Sequence, residues 1–239
     1  MDVRTAHGRL TADRVVLATN ASPSPVRRLR KYIVPVYDYV LMTEPLDPGQ
    51  RRTIGWDQHQ GIGTTGNQFL YFRQTSDQRI LFGGYDAVYH FGNSMGAGLE
   101  QRPATFTKLS QLFADTFPQL EDVRFTHSWS GAIDTCSRFC AFFDRSHDGR
   151  VSSVAGYTGL GVGASRFGAR VALDLVSGAA TDLTRLRFVQ TKPLPFPPEP
   201  LRSIGIGLTR WSMSRADQNQ GKRNFWLRAL DSVGLGFDS

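Results

Sequence analysis

The sequence predicts an α+β chain: one sheet-and-helix unit in two separate pieces, with an antiparallel sheet inserted between them. Three observations predict it. A short apolar strand, Val151–Ala155, runs into a glycine cluster that opens an amphipathic helix over about residues 165–176. Near the start, Val15-Val16-Leu17-Ala18 is apolar on both faces, as in a strand lying inside a sheet. Between these segments, runs of β-branched and aromatic residues alternate with turn signals, as in an antiparallel sheet.

Taken in order, residues 3–7 and 14–19 read as short strands joined by a turn at His7-Gly8-Arg9. The second strand is apolar enough to need neighbours on both sides, and the residues before it supply almost none. Residues 33–43, 66–74 and 79–85 read as strands of the inserted sheet, with turns at Asp47-Pro48-Gly49 and Thr75-Ser76-Asp77. Residues 105–117 are predicted to be a helix with Phe106, Leu109, Leu112 and Phe113 on one face, ended by Pro118. Residues 123–130 and Ile133 extend the sheet. Prolines break the chain from 193 to 200, and a short helix is expected over Phe225–Ser232. The predicted divisions are 1–30 together with 141–190, an inserted 31–140, and a tail over 191–239.

A chain of 239 residues, 40% of them hydrophobic, can bury a sizeable core. The formal net charge is +7, and Lys31, Lys108, Lys192 and Lys222 are the only lysines. The arginines are scattered; the densest run, Arg27-Arg28-Leu29-Arg30-Lys31, is short. Such a distribution reads as a solvated basic surface, and the expectation is no nucleic-acid partner. Cys136 and Cys140 are the only cysteines, which excludes a disulfide framework, and no second Cys or His pair completes a metal site. No apolar run reaches the ~20 residues that span a bilayer, and no signal-peptide core opens the chain. A cytoplasmic protein without membrane contact is the expectation.

The glycine cluster carries the chemistry. Gly156, Gly159, Gly161 and Gly163 leave no side chains where the backbone turns into the helix. First-turn N–H groups lack helical partners and sit at the positive end of the helix dipole, so an anionic or polarised ligand edge can dock there. The alternative is a tight packing turn with no ligand. A primary dinucleotide fingerprint is rejected, because the third glycine of G-x-G-x-x-G falls on Arg166 and no second strand carries Asp182.

Five segments in order then resemble a family. Residues 10–21, Leu-Thr-Ala-Asp-Arg-Val-Val-Leu-Ala-Thr-Asn-Ala, resemble the A-x-x-V-V-x-A-T-[GN]-A segment of FAD-dependent amine and amino-acid oxidoreductases of the D-amino-acid oxidase superfamily. Residues 33–46 are similar to the strand leading into that family's substrate domain, and residues 79–86 to its inner substrate strand. Trp129-Ser-Gly-Ala-Ile-Asp134 resembles the W-x-G-x-[IL]-D strand of the putrescine-oxidising branch, and residues 156–163 resemble the closing flavin motif G-[YH]-x-G-x-G-V-G. The nearest branch is that of gamma-glutamylputrescine oxidase and glycine oxidase.

The resemblance implies an α/β FAD-binding domain remnant with an inserted antiparallel-sheet substrate domain. Family members bind FAD between two such domains, and a hydride leaves the carbon beside the substrate nitrogen for flavin N5. The imine is then hydrolysed, and oxygen usually reoxidises the flavin. FAD would be held non-covalently, since no cysteine stands where covalent-flavin relatives attach it. By position, Ala18, Thr19, Asn20 and Ala21 would line the dinucleotide part of FAD, and Gly156, Gly159, Leu160, Gly161, Val162 and Gly163 the isoalloxazine edge. Substrate-side candidates are Tyr71, Tyr85, Trp129 and Phe142, with Asp134 or Asp86 for an ammonium group and Arg138 for a carboxylate. For each aromatic the alternative is core packing, and for each charge a turn cap or surface pair. No residue is assigned to catalysis, because the flavin carries the chemistry.

The family's N-terminal half, with the G-x-G-x-x-G that holds the pyrophosphate, has no counterpart in this sequence. The expected partner is therefore a small amine or amino acid, together with a missing Rossmann half or a partner chain. The competing expectation is a non-catalytic remnant or subunit that keeps the fold and does not bind FAD alone.

Overall fold

Among residues 1–232 and 235, which this computed structural model describes, strands and helices alternate in no simple repeat. The strands are β1 (Asp2–Thr5), β2 (Gly8–Thr11), β3 (Val15–Leu17), β4 (Val34–Thr43), β5 (Ile62–Gly63), β6 (Leu70–Gln74), β7 (Ile80–Gly84), β8 (Val88–Tyr89), β9 (Phe125–Thr135), β10 (Phe142–Ser146) and β11 (Val151–Ala155). The helices are α1 (Pro48–Ile54), α2 (Pro103–Thr116), α3 (Gly161–Ser177), α4 (Asp182–Arg185), α5 (Arg187–Gln190), α6 (Leu201–Gln218) and α7 (Phe225–Ser232). This mixed strand-and-helix architecture is the predicted class. Two compact units result: Met1–Pro35 with Ile133–Arg202, and Val36–Ala132 with Ser203–Ser239.

The first unit is built on a three-stranded sheet in the order β10-β11-β3. β10 and β11 form an antiparallel hairpin, and β3 lies parallel to β11 with Val15 opposite Val151 and Leu17 opposite Ser153. Every residue of β11 is buried, which is what its unbroken Val-Ser-Ser-Val-Ala run allows. α3 covers it through Val171 and Ala172, and the Ser152 hydroxyl donates to the Ala172 carbonyl at 2.8 Å. Gly178, left-handed at φ 79°, ends that helix. A buried carboxylate pins the far side: Asp144 accepts from both Arg28 guanidinium nitrogens at 2.8 and 2.6 Å and pairs with Lys192.

Two expectations change here. The N-terminal hairpin joins β1 to β2, with Thr5 opposite Gly8, instead of joining residues 3–7 to 14–19. β3 is paired with β11 alone among the described residues, and Val16 stays 40% exposed. Its apolar sequence is that of an inner strand, yet it lies at a sheet edge.

The second unit is built on a six-stranded sheet in which β5-β6-β7-β4-β8 pair antiparallel and β9 also lies on β4. Side chains alternate along β4, so Tyr37, Tyr39 and Leu41 enter a core with Phe72, Phe82 and Phe113 under α2. The rings pack edge to face, as Phe82 does on Phe113 at 5.4 Å between centroids. Pro103 opens α2, two residues before the predicted start, and Pro118 begins a 3-10 turn just after it. α7 spans the predicted Phe225–Ser232.

The 18-residue α6 is not foreseen in the sequence. Its two glycines, Gly205 and Gly207, argue against a helix. Its tertiary partners outweigh them: Met213 and Ala216 pack with Leu227, and Trp226 donates to the Thr209 hydroxyl at 2.9 Å. The Asp217 carboxylate accepts from the Asn67 and Gln68 amides at 2.8 and 2.9 Å. No helix among the described residues is long and apolar enough to cross a membrane.

Candidate functional site

Parallel pairing brings the predicted cofactor residues together within the first unit. Because β3 and β11 run the same way, their carboxyl ends emerge at one end of the sheet. Ala18–Asn20 follows β3 there, and Gly156 follows β11. Ligands of open α/β sheets gather at this end of the strands. After β3, Ser22 N donates to Thr19 O at 3.0 Å, Asn20 adopts φ 49°, and Ala21 is buried.

The turn from β11 into α3 demands its glycines unequally. Gly156 has φ 80°, and a Cβ there would lie 2.9 Å from the Cβ of Cys136 and 3.0 Å from the Phe142 ring. Only glycine fits. Gly159 is also left-handed, at φ 86°. Gly163 differs, since a Cβ would meet nothing within 4 Å. No side chain caps α3, and helical bonding begins with Ala164 N to Leu160 O at 3.1 Å. Leu160 is exposed and Val162 is 100% exposed. The helix therefore begins one turn before the predicted residue 165 and presents uncapped amides at Gly161, Val162 and Gly163.

Asp134 and Phe142 have other work than the predicted substrate contact. Asp134 is 2% exposed and accepts the Gly156 amide at 2.6 Å. Burial raises its pKa, while hydrogen bonds from Gly156, Tyr157 and Thr158 act in the opposite direction. Phe142 is 1% exposed, packed with Leu29, Ile33, Cys136 and Ala155. Arg138 donates to the Ala141, Phe188 and Thr191 carbonyls, stitching loops within its own unit. Cys136 is buried with its thiol toward the Cys140 carbonyl, and burial pushes its pKa up. No cluster of three or more His, Cys, Asp or Glu suited to a metal occurs among the described residues.

In the second unit the aromatic candidates divide. Tyr85 packs against the α2 core, with the Lys108 ammonium 3.9 Å from its ring centre. Asp86 pairs with Arg102 at 3.1 Å and Arg210 at 3.2 Å. Trp129 is 37% exposed. Tyr71 lies on the sheet face away from α2, and its hydroxyl donates to Asp38 at 2.6 Å. Asp38 escaped the sequence reading. The available signal was an acid at a central strand position flanked by tyrosines, Tyr37-Asp38-Tyr39.

The family model for FAD dependent oxidoreductases (DAO) matches residues 1–175. The chain belongs to this DAO family of FAD-dependent oxidoreductases. It is 29% identical over 198 residues to gamma-glutamylputrescine oxidoreductase of Escherichia coli (strain K12), covering 82% of this chain and 43% of that protein. It is 26% identical over 189 residues to the probable oxidoreductase OrdL of Haemophilus influenzae, covering 74% of this chain and 39% of that one. Glycine oxidase from Geobacillus kaustophilus shares the fold, with a TM-score of 0.60 at 20% identity, over 80% of this chain and 48% of that chain. The chain thus spans about two fifths of the length of these curated relatives.

The residues present fit one part of the family's cofactor. The start of α3 offers exposed, uncapped N–H donors with open space at Gly163, a donor set suited to an anionic ring edge.

Proposed function

We propose that this chain contributes the flavin-edge and substrate-sheet portions of an FAD-dependent oxidoreductase acting on an amine or amino acid. The observation that supports it best is the uncapped start of α3 at the carboxyl end of the β3–β11 pair. FAD, when bound, supplies the hydride-accepting chemistry. Gly161, Val162 and Gly163 would hold the pyrimidine edge of its ring by backbone N–H groups, where negative charge is favoured by the helix dipole. Leu160 and Val162, both exposed, would pack on the ring and exclude water from it. Gly159 and Gly156 shape the turn, and Asp134 orients it from beneath. Ala18, Thr19, Asn20 and Ala21 would line the dinucleotide portion, binding it non-covalently.

The pyrophosphate and adenosine groups would be held by the part of the family fold that this chain does not span, since it covers about two fifths of these relatives' length. On the substrate side, Tyr71 and the exposed part of Trp129 would be the aromatic surfaces offered to a small molecule. Two of the relatives, gamma-glutamylputrescine oxidoreductase and glycine oxidase, are named for small nitrogen compounds, which supports the substrate class proposed here.

The test is co-expression of the chain with the N-terminal half of the Escherichia coli relative. Co-purification of a yellow complex, bleached anaerobically by an amine substrate, supports the reading. A folded complex that carries no flavin returns the chain to the role of a non-catalytic subunit.

A further inference from the structure

The helix α6 carries an apolar stripe on the face it turns to solvent. Leu201, Ile204, Leu208 and Trp211 are all exposed, Leu201 and Ile204 at 61%. Their spacing of three, four and three residues sets them in one line along the helix, at the two seam positions of a heptad repeat. The opposite face is the one this chain occupies: Met213 and Ala216 pack with Leu227, and Arg210 pairs with Asp86 at 3.2 Å. Single exposed apolar residues are ordinary, but four aligned on one helix call for a partner.

The borders of the stripe are small. In the same heptad the flanking positions hold Gly205, Gly207, Ser212 and Ser214. Glycine inside a helix costs stability relative to alanine, and the chain's own packing requires neither one. Neither has a positive φ, and a Cβ at either would meet nothing within 4 Å among the described residues. What the two leave open is room for another backbone, one on each border at the middle of the stripe. The charged residues of α6 stand off these borders. Arg202 donates to the Pro197 carbonyl at 3.0 Å, Arg210 is held by Asp86, and Asp217 accepts the Asn67 and Gln68 amides. Arg215 continues the line past Trp211, its guanidinium 5.8 Å from that ring's centre.

We infer that α6 is the interface of a two-fold homodimer, packed antiparallel on α6 of a second copy of this chain. A two-fold interface must complement itself, and the spacing of the stripe reads the same in both directions. Turned about its midpoint, Leu201 meets the partner's Trp211, and Ile204 meets the partner's Leu208. Gly205 then lies beside the partner's Gly207, so the two backbones approach closely. The two Arg215 side chains end about 27 Å apart along the axis at ~1.5 Å per residue, so like charges do not meet. A lipid surface suits the stripe less, since helices that lie on membranes border their apolar face with basic residues, where α6 has glycine and serine. An acidic partner finds no cation on those borders either. The inference is independent of the flavin reading.

The experiment is gel filtration with light scattering on the whole chain, without flavin, over a range of micromolar concentrations. The expected result is a dimer. Leu208→Glu should weaken it about a hundredfold, by burying a charge in the seam. Gly207→Leu should weaken it about tenfold while thermal stability holds or rises, because the new side chain fills only the space kept for the partner. A glycine needed by the chain's own fold would lose stability instead. Leu173→Glu, at another exposed leucine on α3, should leave the dimer unchanged. Should Leu208→Glu fail to fold, Gly207→Leu decides alone. A monomer at these concentrations, a dimer that Leu208→Glu leaves intact, or one that Leu173→Glu dissolves equally, overturns the proposal. Loss of the dimer on co-expression with the N-terminal half of the Escherichia coli relative also overturns it and assigns the stripe to that half. Binding of the monomer to phosphatidylserine vesicles, abolished by Leu208→Glu, overturns it in favour of a membrane.

Discussion

The buried carboxylate of Asp134 accepts the backbone amide of Gly156 at 2.6 Å, tying the end of β9 to the turn that leads into α3. Gly156 has φ 80° and Thr158 φ 52°, and the Thr158 amide donates to the Asp134 main-chain carbonyl at 3.3 Å, so Asp134 holds the turn at two points. The shape of the turn before the Gly161–Gly163 amides is therefore set by a side chain 22 residues upstream.

Removing that side chain should loosen the turn. Asp134→Ala leaves the Gly156 amide buried and unpaired, at a cost of about 1–3 kcal/mol. The dependence on pH has a definite sign. Burial raises the Asp134 pKa above the ordinary carboxylate value, so the folded chain holds this proton more tightly than the unfolded chain. Its contribution to stability is full below the unfolded pKa of about 3.9 and is lost as pH rises through the raised folded value. As pH rises from about 4 through the raised folded value, the wild type should lose stability relative to Asp134→Asn, which has no proton to give up. Urea unfolding of both proteins across that range checks it, and a gain for the wild type would contradict it.

Two glycine substitutions should separate folding from binding. Gly156→Ala forces a Cβ to 2.9 Å from Cys136 at a positive φ and should cost on the order of 2–4 kcal/mol. Gly163→Ala meets nothing within 4 Å inside a helix, so it should be neutral or stabilising by up to about 1 kcal/mol. Thermal denaturation ranks the two. On the functional proposal, Gly163→Ala also lowers flavin uptake, because its methyl group stands before the ring edge.

Asp144→Ala should destabilise the first unit. The carboxylate is buried, but Arg28 and Lys192 are partly exposed and can turn to solvent, which limits the loss to about 1–3 kcal/mol. Salt should not mimic the substitution, since the anion itself is shielded. Denaturation midpoints with and without added salt test both statements.

Asp217→Ala should release α6 from the segment at Asn67 and Gln68. Two backbone amides lose their acceptor, at 2.8 and 2.9 Å in the wild type. Limited proteolysis should then cut near residues 64–68 at a raised rate, with the sheet core left intact. Unchanged cleavage would show that other contacts hold the helix.

The sequence made legible whatever rests on local pattern. Alternation and turn residues located β4, β6 and β7, and the one-sided spacing of Phe106, Leu109 and Phe113 located α2. The glycine run located the start of α3, although the helix reaches back into the glycines themselves. What escaped depends on partners distant in sequence. α6 is held through Asp217 and Trp226, and no local signal outweighs Gly205 and Gly207. The apolar β3 gave no hint of an edge position, since burial on both faces says nothing about a strand's neighbours. Asp134 reads as a candidate partner for an ammonium group and Asp38 is not singled out; only the fold shows that the first supports a backbone turn and the second meets a tyrosine across strands.

The central claim is that the first-turn amides of α3 receive the ring edge of a flavin. The direct measurement is the ¹⁵N–¹H spectrum of labelled chain, co-expressed with the unlabelled N-terminal half of the Escherichia coli relative and compared with and without bound FAD. The account predicts that the Gly161, Val162 and Gly163 amides shift together on loading and again on reduction, while Gly205 and Gly207 stay fixed. A flavin-loaded sample in which those three amides do not move would contradict it.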